Sequence, residues 1–304
     1  VEASNVAIAY TGVIGKQLPI EKICHAIPEL VKKKSDSIES GNAAAKAIMT
    51  TDTVEKEVAV ELEIAGETVR IGAMVKGSGM IHPDMCTMLC FISTDANISA
   101  RALDKALRQS VEESFHMVSV DGDTSTNDTV LLLANAMAGN EKIETDTTEF
   151  DKFAAALEYV CIELAKMIAA DGEGAMALFE VEVSSAASKE QARGLAKSVV
   201  CSSLVKTAIA GHDANWGRIL CAMGYSGEDF DTEKVSLKFF SKAGEIDIAE
   251  KGMALDFDEE KATAILSEDN IKAKVELHMG KESATAWGCD LTHDYISING
   301  DYRT

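Results

Sequence analysis

Apolar and polar positions alternate strictly in one part of the first half of the chain. The alternation runs over residues 57–64 and resumes over residues 69–75, after the short polar link Ala65-Gly66-Glu67. A period of two residues with one charged side is typical of antiparallel strands that bury only one face. The pattern therefore predicts a β-hairpin with one solvent-facing side.

Four-residue spacing predicts helices elsewhere. The stripe from Leu103 to Phe115 predicts an amphipathic helix, and apolar positions over 149–169 predict a longer one with Thr148 in a capping-box-like start. Further helices are predicted near 18–34, 38–48, 128–138, 189–209 and 215–223. Further strands are predicted at 5–10, 88–92, 117–120 and 176–183, near 235–249 and 271–288, and toward Asn299.

This mixture of elements over 304 residues predicts an α/β protein of α+β layers with a large core. We expect two mixed α/β domains, residues 1–172 and 173–304, which meet at the loop Asp171-Gly172-Glu173-Gly174-Ala175. Two glycines around one carboxylate present Glu173 on a tight loop. The spacing alone leaves open whether that side chain serves a site or solvent.

Charge and cysteine usage exclude several classes of protein. A formal charge of -21 argues against nucleic acid as a partner. No apolar run reaches the length of a membrane span, so we expect no membrane partner and a cytoplasmic location. The seven cysteines contain no CxxC pair, which favours reduced thiols over a zinc site or a disulfide framework.

The stretch that follows the hairpin carries the clearest candidate chemistry. Two glycines and a proline bend the chain between Lys76 and Thr87, and a buried strand then begins at Met88. A threonine hydroxyl is a poor nucleophile unless a base lies beside it, and its own α-amine can be that base once the preceding bond is cut. We expect self-cleavage between Cys86 and Thr87, followed by acyl transfer on Thr87.

A second polar loop, Asp121 to Thr129, raises the possibility of a calcium site. An EF-hand loop begun at Asp121 would need glycine at position 126 and glutamate at position 132, where this chain has Thr126 and Leu132. A polar loop that caps a following helix fits the sequence better. No metal site is therefore predicted.

Taken together and in order, these loops resemble the ornithine acetyltransferase family, also called glutamate N-acetyltransferase, of the arginine pathway. The resemblance covers nearly the whole chain. It rests on Thr11–Gly15, Ile48–Thr53, Lys76–Met80, Met85–Leu89, Asp121–Thr129, Asp171–Ala175, Lys206–Ala208, Asn215–Ile219, Ser283–Asp290 and Asn299–Thr304.

The resemblance implies a precursor that cleaves itself into an α chain (1–86) and a β chain from residue 87, assembled as an (αβ)2 heterotetramer. It implies that N-acetylornithine acetylates Thr87, that ornithine leaves, and that glutamate takes the acetyl group without a metal or organic cofactor. Thr11 and Gly12 become the oxyanion donors. The substrate-contacting residues carried over by position are Thr50, Lys76, Thr87, Glu173, Asn299 and Thr304. The sequence leaves open whether acetyl-CoA is a second donor.

The chain departs from the family pattern at several points, and two of them bear on the cleavage and on the fold. Cys86 replaces the usual alanine before the nucleophile, and the N-terminal segment that family members carry before the Thr11-Gly12 loop is absent from the printed sequence. We therefore expect part of the first domain's sheet to be missing.

Three other interpretations of the function stay open. A self-cleaving threonine amidase or aminopeptidase would pass the acyl group to water instead of glutamate. A cysteine protease would use Cys86 with His82. An inactive, truncated family member would only bind a ligand or partner.

Overall fold

The structure is a computed structural model that describes residues 2–3, 6–82 and 88–301. Its helices are α1 (Ile20–Lys33), α2 (Ile38–Ala47), α3 (Ala100–Glu113), α4 (Thr148–Ala170), α5 (Lys189–Cys201), α6 (Ser203–Ala210), α7 (Trp216–Gly224), α8 (Glu259–Leu266) and α9 (His293–Asp301). Its strands are β1 (Lys56–Ile64), β2 (Glu67–Lys76), β3 (Leu89–Thr94), β4 (Val118–Ser119), β5 (Thr129–Ala134), β6 (Leu178–Ala186), β7 (Ser236–Ser241), β8 (Gly244–Glu250), β9 (Met253–Ala254), β10 (Asn270–Glu276) and β11 (Glu282–Cys289).

The smaller sheet contains the predicted hairpin. Its strand order is β1-β2-β3-β5, with β3 antiparallel to β2 and parallel to β5. Ile64 pairs with Glu67, so the link between β1 and β2 has two residues, Ala65 and Gly66, and both have positive φ. A two-residue turn with positive φ at both positions matches the twist of the flanking strands. The hairpin prediction is confirmed.

The larger sheet has seven strands in the order β4-β11-β6-β10-β7-β8-β9. Within it β6 is parallel to β10 and antiparallel to β11, while β4 is parallel to β11 at the edge. Strand β4 comes from the first half of the chain, so this sheet uses residues on both sides of the predicted boundary at 172/173. The mixed α/β fold is confirmed, and the division into two domains stays a prediction.

Helix α4 packs against strands of both sheets. It contacts β1 and β2 of the smaller sheet and β4, β6 and β11 of the larger one. Along its length it buries nine side chains, including Phe153, Leu157 and Leu164. Each large apolar side chain of this kind contributes about 1.5–3 kcal/mol when it leaves water. The helix therefore joins the two sheets through one continuous apolar core. Its N-cap is Thr147, one residue before the predicted start.

Three predicted elements are wrong. The helix predicted at 128–138 is the strand β5. The prediction failed because a short apolar run between polar loops is compatible with a buried strand as well as with a helix. The strand predicted at 5–10 is absent over residues 6–10, which pair with no strand of the described chain. The strand predicted toward Asn299 is the helix α9, whose first turn begins where Asp294 donates its amide to the Thr292 hydroxyl.

The predicted helix at 189–209 divides at Ser202 into α5 and α6, and Ser202 caps the second of them. Within the described ranges, no helix combines the length and the apolar character that crossing a bilayer requires.

Candidate active site

Four of the residues predicted from the sequence line one cleft. The cleft has a volume of about 260 Å³ and lies where the end of β2, the loop after β4, the loop after α4 and helix α9 converge. Thr50, Lys76, Glu173 and Asn299 all contribute to its wall. The remaining lining residues are Ile14, Thr51, Gly79, Met80, Asp121, Asp123, Thr124 and Tyr295.

Glu173 is a buried carboxylate at this cleft. Its side chain is placed by the loop that follows α4, where the Glu173 amide donates to the Ser78 carbonyl at 2.9 Å. Only 7% of the residue is exposed, and one carboxylate oxygen accepts a hydrogen bond of 2.7 Å from the Asn299 amide. A Cβ atom at Gly79 would overlap the Glu173 carboxyl group, so the close approach requires glycine there. The structure thus places Glu173 at the cleft and leaves carboxylate capacity for a cation.

Lys76 supplies the positive charge of the cleft wall. It is the last residue of β2 and is 3% exposed. Burial lowers the pKa of Lys76, and the nearby ammonium of Lys56 acts in the same direction, whereas carboxylates around it act against the shift. An ammonium group in such surroundings is stabilised when an anion enters the cleft. Lys76 is therefore suited to bind a carboxylate.

Behind the wall lies a buried ion-pair cluster that the sequence reading missed. The Lys56 ammonium is fully buried and donates to Asp52 at 2.7 Å and to Asp171 at 2.5 Å. Asp52 also accepts the amides of Gly77 and Thr50, at 2.7 Å and 3.1 Å. Burial acts to raise the pKa of Asp52, but the hydrogen bonds from Lys56 and Gly77 lower it below its ordinary value.

This cluster fixes three parts of the cleft at once. Asp171 accepts the amide and the hydroxyl of Thr53 and lies two residues before Glu173. Through its hydrogen bonds Asp52 holds the backbone amides of Thr50 and of Gly77, which follows Lys76. The polar run Met49–Thr53 and the loop at Asp171 were visible in the sequence, but their pairing through Lys56 joins positions 115 residues apart.

Asp121 joins the loop after β4 to two other elements. Its carboxylate accepts the amides of Met80 and Ile81 at 2.6 Å and 2.9 Å. Met80 has a φ of 55°, which is strained for a residue with a side chain, and the two bonds hold it there. The Tyr295 hydroxyl of α9 also donates to Asp121, at 3.3 Å. Burial and the charge of Asp121 raise the pKa of Tyr295.

The other predicted site residues are not brought together in the same way. Thr11 and Gly12 lie in the irregular segment before α1, from which Ile14 reaches the cleft. Cys86, Thr87 and Thr304 lie outside the described residues. Their roles, like those of the residues in the cleft, stay predictions.

His82 and possible metal ligands bear on the other interpretations of the sequence. The His82 ring contacts the Ser119 hydroxyl at 3.2 Å and the Cys201 thiol at 3.4 Å. In the part of the chain that the structure describes, no three His, Cys, Asp or Glu side chains are grouped to hold a metal ion. Burial raises the pKa of Cys201, which keeps it a neutral thiol at neutral pH.

A comparison with known proteins identifies the class to which this fold and cleft belong. The chain matches the ArgJ family over residues 1–304 and belongs to that family. This confirms the resemblance indicated by the sequence motifs.

Relatives with this family name are similar over nearly the whole chain. Arginine biosynthesis bifunctional protein ArgJ 1 of Clostridium acetobutylicum is 50% identical, over 100% of this chain and 74% of its own length. The ArgJ protein of Symbiobacterium thermophilum is 51% identical, over 98% of this chain and 73% of its own length.

A solved structure is also similar. The crystal structure of arginine biosynthesis bifunctional protein ArgJ from Bacillus halodurans is 46% identical, with a TM-score of 0.67. The similarity covers 70% of this chain and 98% of the crystallised chain.

Proposed function

We propose that this protein acts in arginine biosynthesis by moving an acetyl group from N-acetylornithine to glutamate. The observation that carries the proposal is the charge arrangement of the cleft, in which buried Lys76 and buried Glu173 lie in one wall. A cleft with both signs of charge is matched to an amino acid that has a carboxylate and a cationic side chain.

Lys76 binds the α-carboxylate of the substrate, and Glu173 binds the side-chain ammonium of N-acetylornithine. Both side chains are largely buried, so an opposite charge on the substrate stabilises each of them. Thr50 and Asn299 contribute neutral hydrogen-bonding groups, which serve the donor and the glutamate acceptor alike.

The acetyl group is carried by Thr87 in this proposal. Cleavage between Cys86 and Thr87 frees an α-amine, whose ordinary pKa of roughly 7.7–8 makes it an effective base near neutral pH. The amine takes the hydroxyl proton while the Thr87 oxygen attacks the acetyl carbonyl. The acetyl–nitrogen bond then breaks, and the proton passes to the departing ornithine nitrogen.

Thr11 and Gly12 stabilise the oxyanion in this proposal, each donor contributing on the order of 3 kcal/mol to the transition state. Glutamate reverses the sequence by attacking the acetyl-Thr87 ester and returning the free hydroxyl. The acetyl group moves between oxygen and nitrogen with no change of oxidation state, so the cycle needs no electron carrier.

Membership of the ArgJ family supports the reaction. We also propose the (αβ)2 assembly and a cytoplasmic location, as expected for an enzyme of amino-acid synthesis. The word "bifunctional" in the relatives' names is the reason to test acetyl-CoA as a second donor.

Denaturing intact mass spectrometry, with and without N-acetylornithine, tests the proposal. We expect two fragments that meet at Cys86/Thr87, and an acetyl increment on the fragment that begins with Thr87. Thr87→Ala is the control and should give one uncleaved mass without the increment. A wild-type protein that stays uncleaved and never gains acetyl would contradict the proposal. Acetate release without N-acetylglutamate formation would indicate a hydrolase instead.

A further inference from the structure

Lys206 is a lysine of α6 whose side chain lies inside the protein. The residue is 3% exposed, and its ammonium donates to the Cys289 carbonyl at 2.5 Å and contacts the Cys289 thiol at 3.3 Å. It forms no ion pair with a carboxylate among the residues that the structure describes. Burial removes water from an ammonium group, so the contacts that replace the water must be kept. The end of β11 is therefore the part of the fold that this cation holds.

The backbone of Lys206 binds the same part of the chain. Its carbonyl accepts the Leu291 amide at 3.2 Å, two residues beyond Cys289. Residues 289–292, which we call the 289–292 segment, are thus attached to α6 by one buried cation and one backbone hydrogen bond.

The 289–292 segment in turn holds the end of the loop that carries Glu173. The Asp290 carboxylate is buried, and one of its oxygens accepts the amides of Met176 and Ala177 at 2.8 Å and 3.1 Å. The Asp290 amide donates back to the Ala177 carbonyl at 3.3 Å. Three hydrogen bonds therefore fix the backbone that follows Glu173.

Two closer contacts reach the neighbours of Glu173 in the chain. The Thr292 hydroxyl donates to the Gly174 carbonyl at 2.6 Å. A Cβ atom at Gly172 would lie 2.9 Å from the Cys289 sulfur, so the loop packs directly on that side chain. Glu173 is thus flanked on both sides by residues that contact the 289–292 segment.

We propose that Lys206 is a positioning residue that sets the place of the Glu173 carboxylate, through the 289–292 segment, and thereby the affinity for the cationic end of the acetyl donor. The inference rests on the proposed function, in which Glu173 binds the side-chain ammonium of N-acetylornithine. Lys206 is not among the residues that line the cleft, so it acts through the loop. The acceptor glutamate has no side-chain ammonium and does not use this contact.

The test begins with Lys206→Met, which keeps an unbranched side chain and removes the ammonium. We expect KM for N-acetylornithine to rise by about 10-fold, while kcat and KM for glutamate change by less than about 2-fold. A general loss of structure would instead lower kcat. The control is Lys272→Met, which removes a lysine of the same sheet from its two carboxylate partners and should leave all three constants unchanged.

A double-mutant cycle shows whether the effect passes through Glu173. Glu173→Gln removes the negative charge and keeps the shape of the side chain. In that background Lys206→Met should change KM for N-acetylornithine by less than about 2-fold, because the charge that it positions is already gone. An undiminished rise in that background, or an unchanged KM in the single variant, contradicts the inference and leaves the proposed function standing.

Two further outcomes also decide. If intact mass shows that wild type never becomes acetylated, the proposed function fails and the inference fails with it. If Lys206→Met does not fold, Thr292→Val takes its place, since it removes only the hydrogen bond to the Gly174 carbonyl and keeps the side-chain shape. We expect KM for N-acetylornithine to rise by about 3-fold with kcat retained. An unchanged KM in Thr292→Val overturns the inference.

Discussion

The two walls of the cleft differ in how deeply their supporting residues are buried. One wall carries Lys76 and Glu173 and is supported by fully buried charged side chains. The other is formed by Ile14 and α9, in segments that bury almost no side chain. Behind the first, which we call the Lys76 wall, Lys56 is completely buried between two carboxylates. The second, the α9 wall, is formed by a helix without one buried residue and by the irregular segment before α1. One wall is fixed by the core and the other is held by single hydrogen bonds at the cleft.

Helix α1 shows the same contrast on a larger scale. Its apolar residues form a clear stripe, yet none is buried, and Leu30 and Val31 are more than 60% exposed. Helix α4 buries nine residues. Amphipathic spacing therefore predicts that a helix forms but not what covers its apolar side. The α9 wall and α1 should tolerate substitutions that the Lys76 wall does not.

The largest effect is expected for Lys56→Met, which removes the cation between Asp52 and Asp171. Two buried carboxylates would be left without compensation, and we expect the free energy of unfolding to fall by about 3–5 kcal/mol. Urea unfolding measures the loss. Lys32→Met is the matched control, because Lys32 pairs with Glu29 at the same 2.7 Å on the exposed surface of α1. It should cost no more than about 1 kcal/mol. Equal losses in the two variants would remove the distinction between the walls.

The next effect is expected for Gly79→Ala, which places a methyl group where the Glu173 carboxyl lies. Overpacking of this kind costs about 1–3 kcal/mol, and displacing Glu173 should weaken use of N-acetylornithine by about 10–100-fold in kcat/KM. Gly72→Ala is the control, since nothing lies within 4 Å of a Cβ there. Steady-state kinetics of both variants, together with their cleavage by intact mass, makes the measurement. Unchanged kinetics for Gly79→Ala would show that the position of Glu173 is unimportant.

The smallest effect is expected for Asn299→Ala in the α9 wall. The substitution removes one hydrogen bond of about 1 kcal/mol to Glu173, so KM for N-acetylornithine should rise by roughly 5-fold. The free energy of unfolding should change by less than about 0.5 kcal/mol, because α9 buries no side chain. Kinetics and urea unfolding on one preparation give both numbers. A stability loss like that of Lys56→Met would show that α9 belongs to the core.

The same contrast explains how much the sequence could predict. Strict alternation over residues 57–75 predicted the hairpin, because the pattern and the turn both act locally. The run Thr129–Ala134 was misread as a helix, because its identity as a strand depends on pairing with β3. Helix α9 was misread as a strand for a related reason, since its apolar residues pack on no core that would fix their period.

The candidate site, too, could be predicted from the sequence only in part. The resemblance of short motifs to the family predicted Lys76, Glu173 and Asn299 as site residues. The fold places all three in one cleft. The positions of Asp52 and Lys56 in the buried cluster could not be predicted, because each depends on contacts between distant residues and on burial. A single sequence shows that these residues are charged but not that their charges are enclosed.

The position of the proposed cleavage site within the smaller sheet has a consequence for unfolding and refolding. Strands β1 and β2 precede residue 86 and strands β3 and β5 follow it, and β2 pairs with β3 from Ile71–Thr94 to Lys76–Leu89. Cleavage would leave two pieces held by a shared sheet and core without a covalent link. Unfolding would then become dissociation, and recovery would depend on protein concentration.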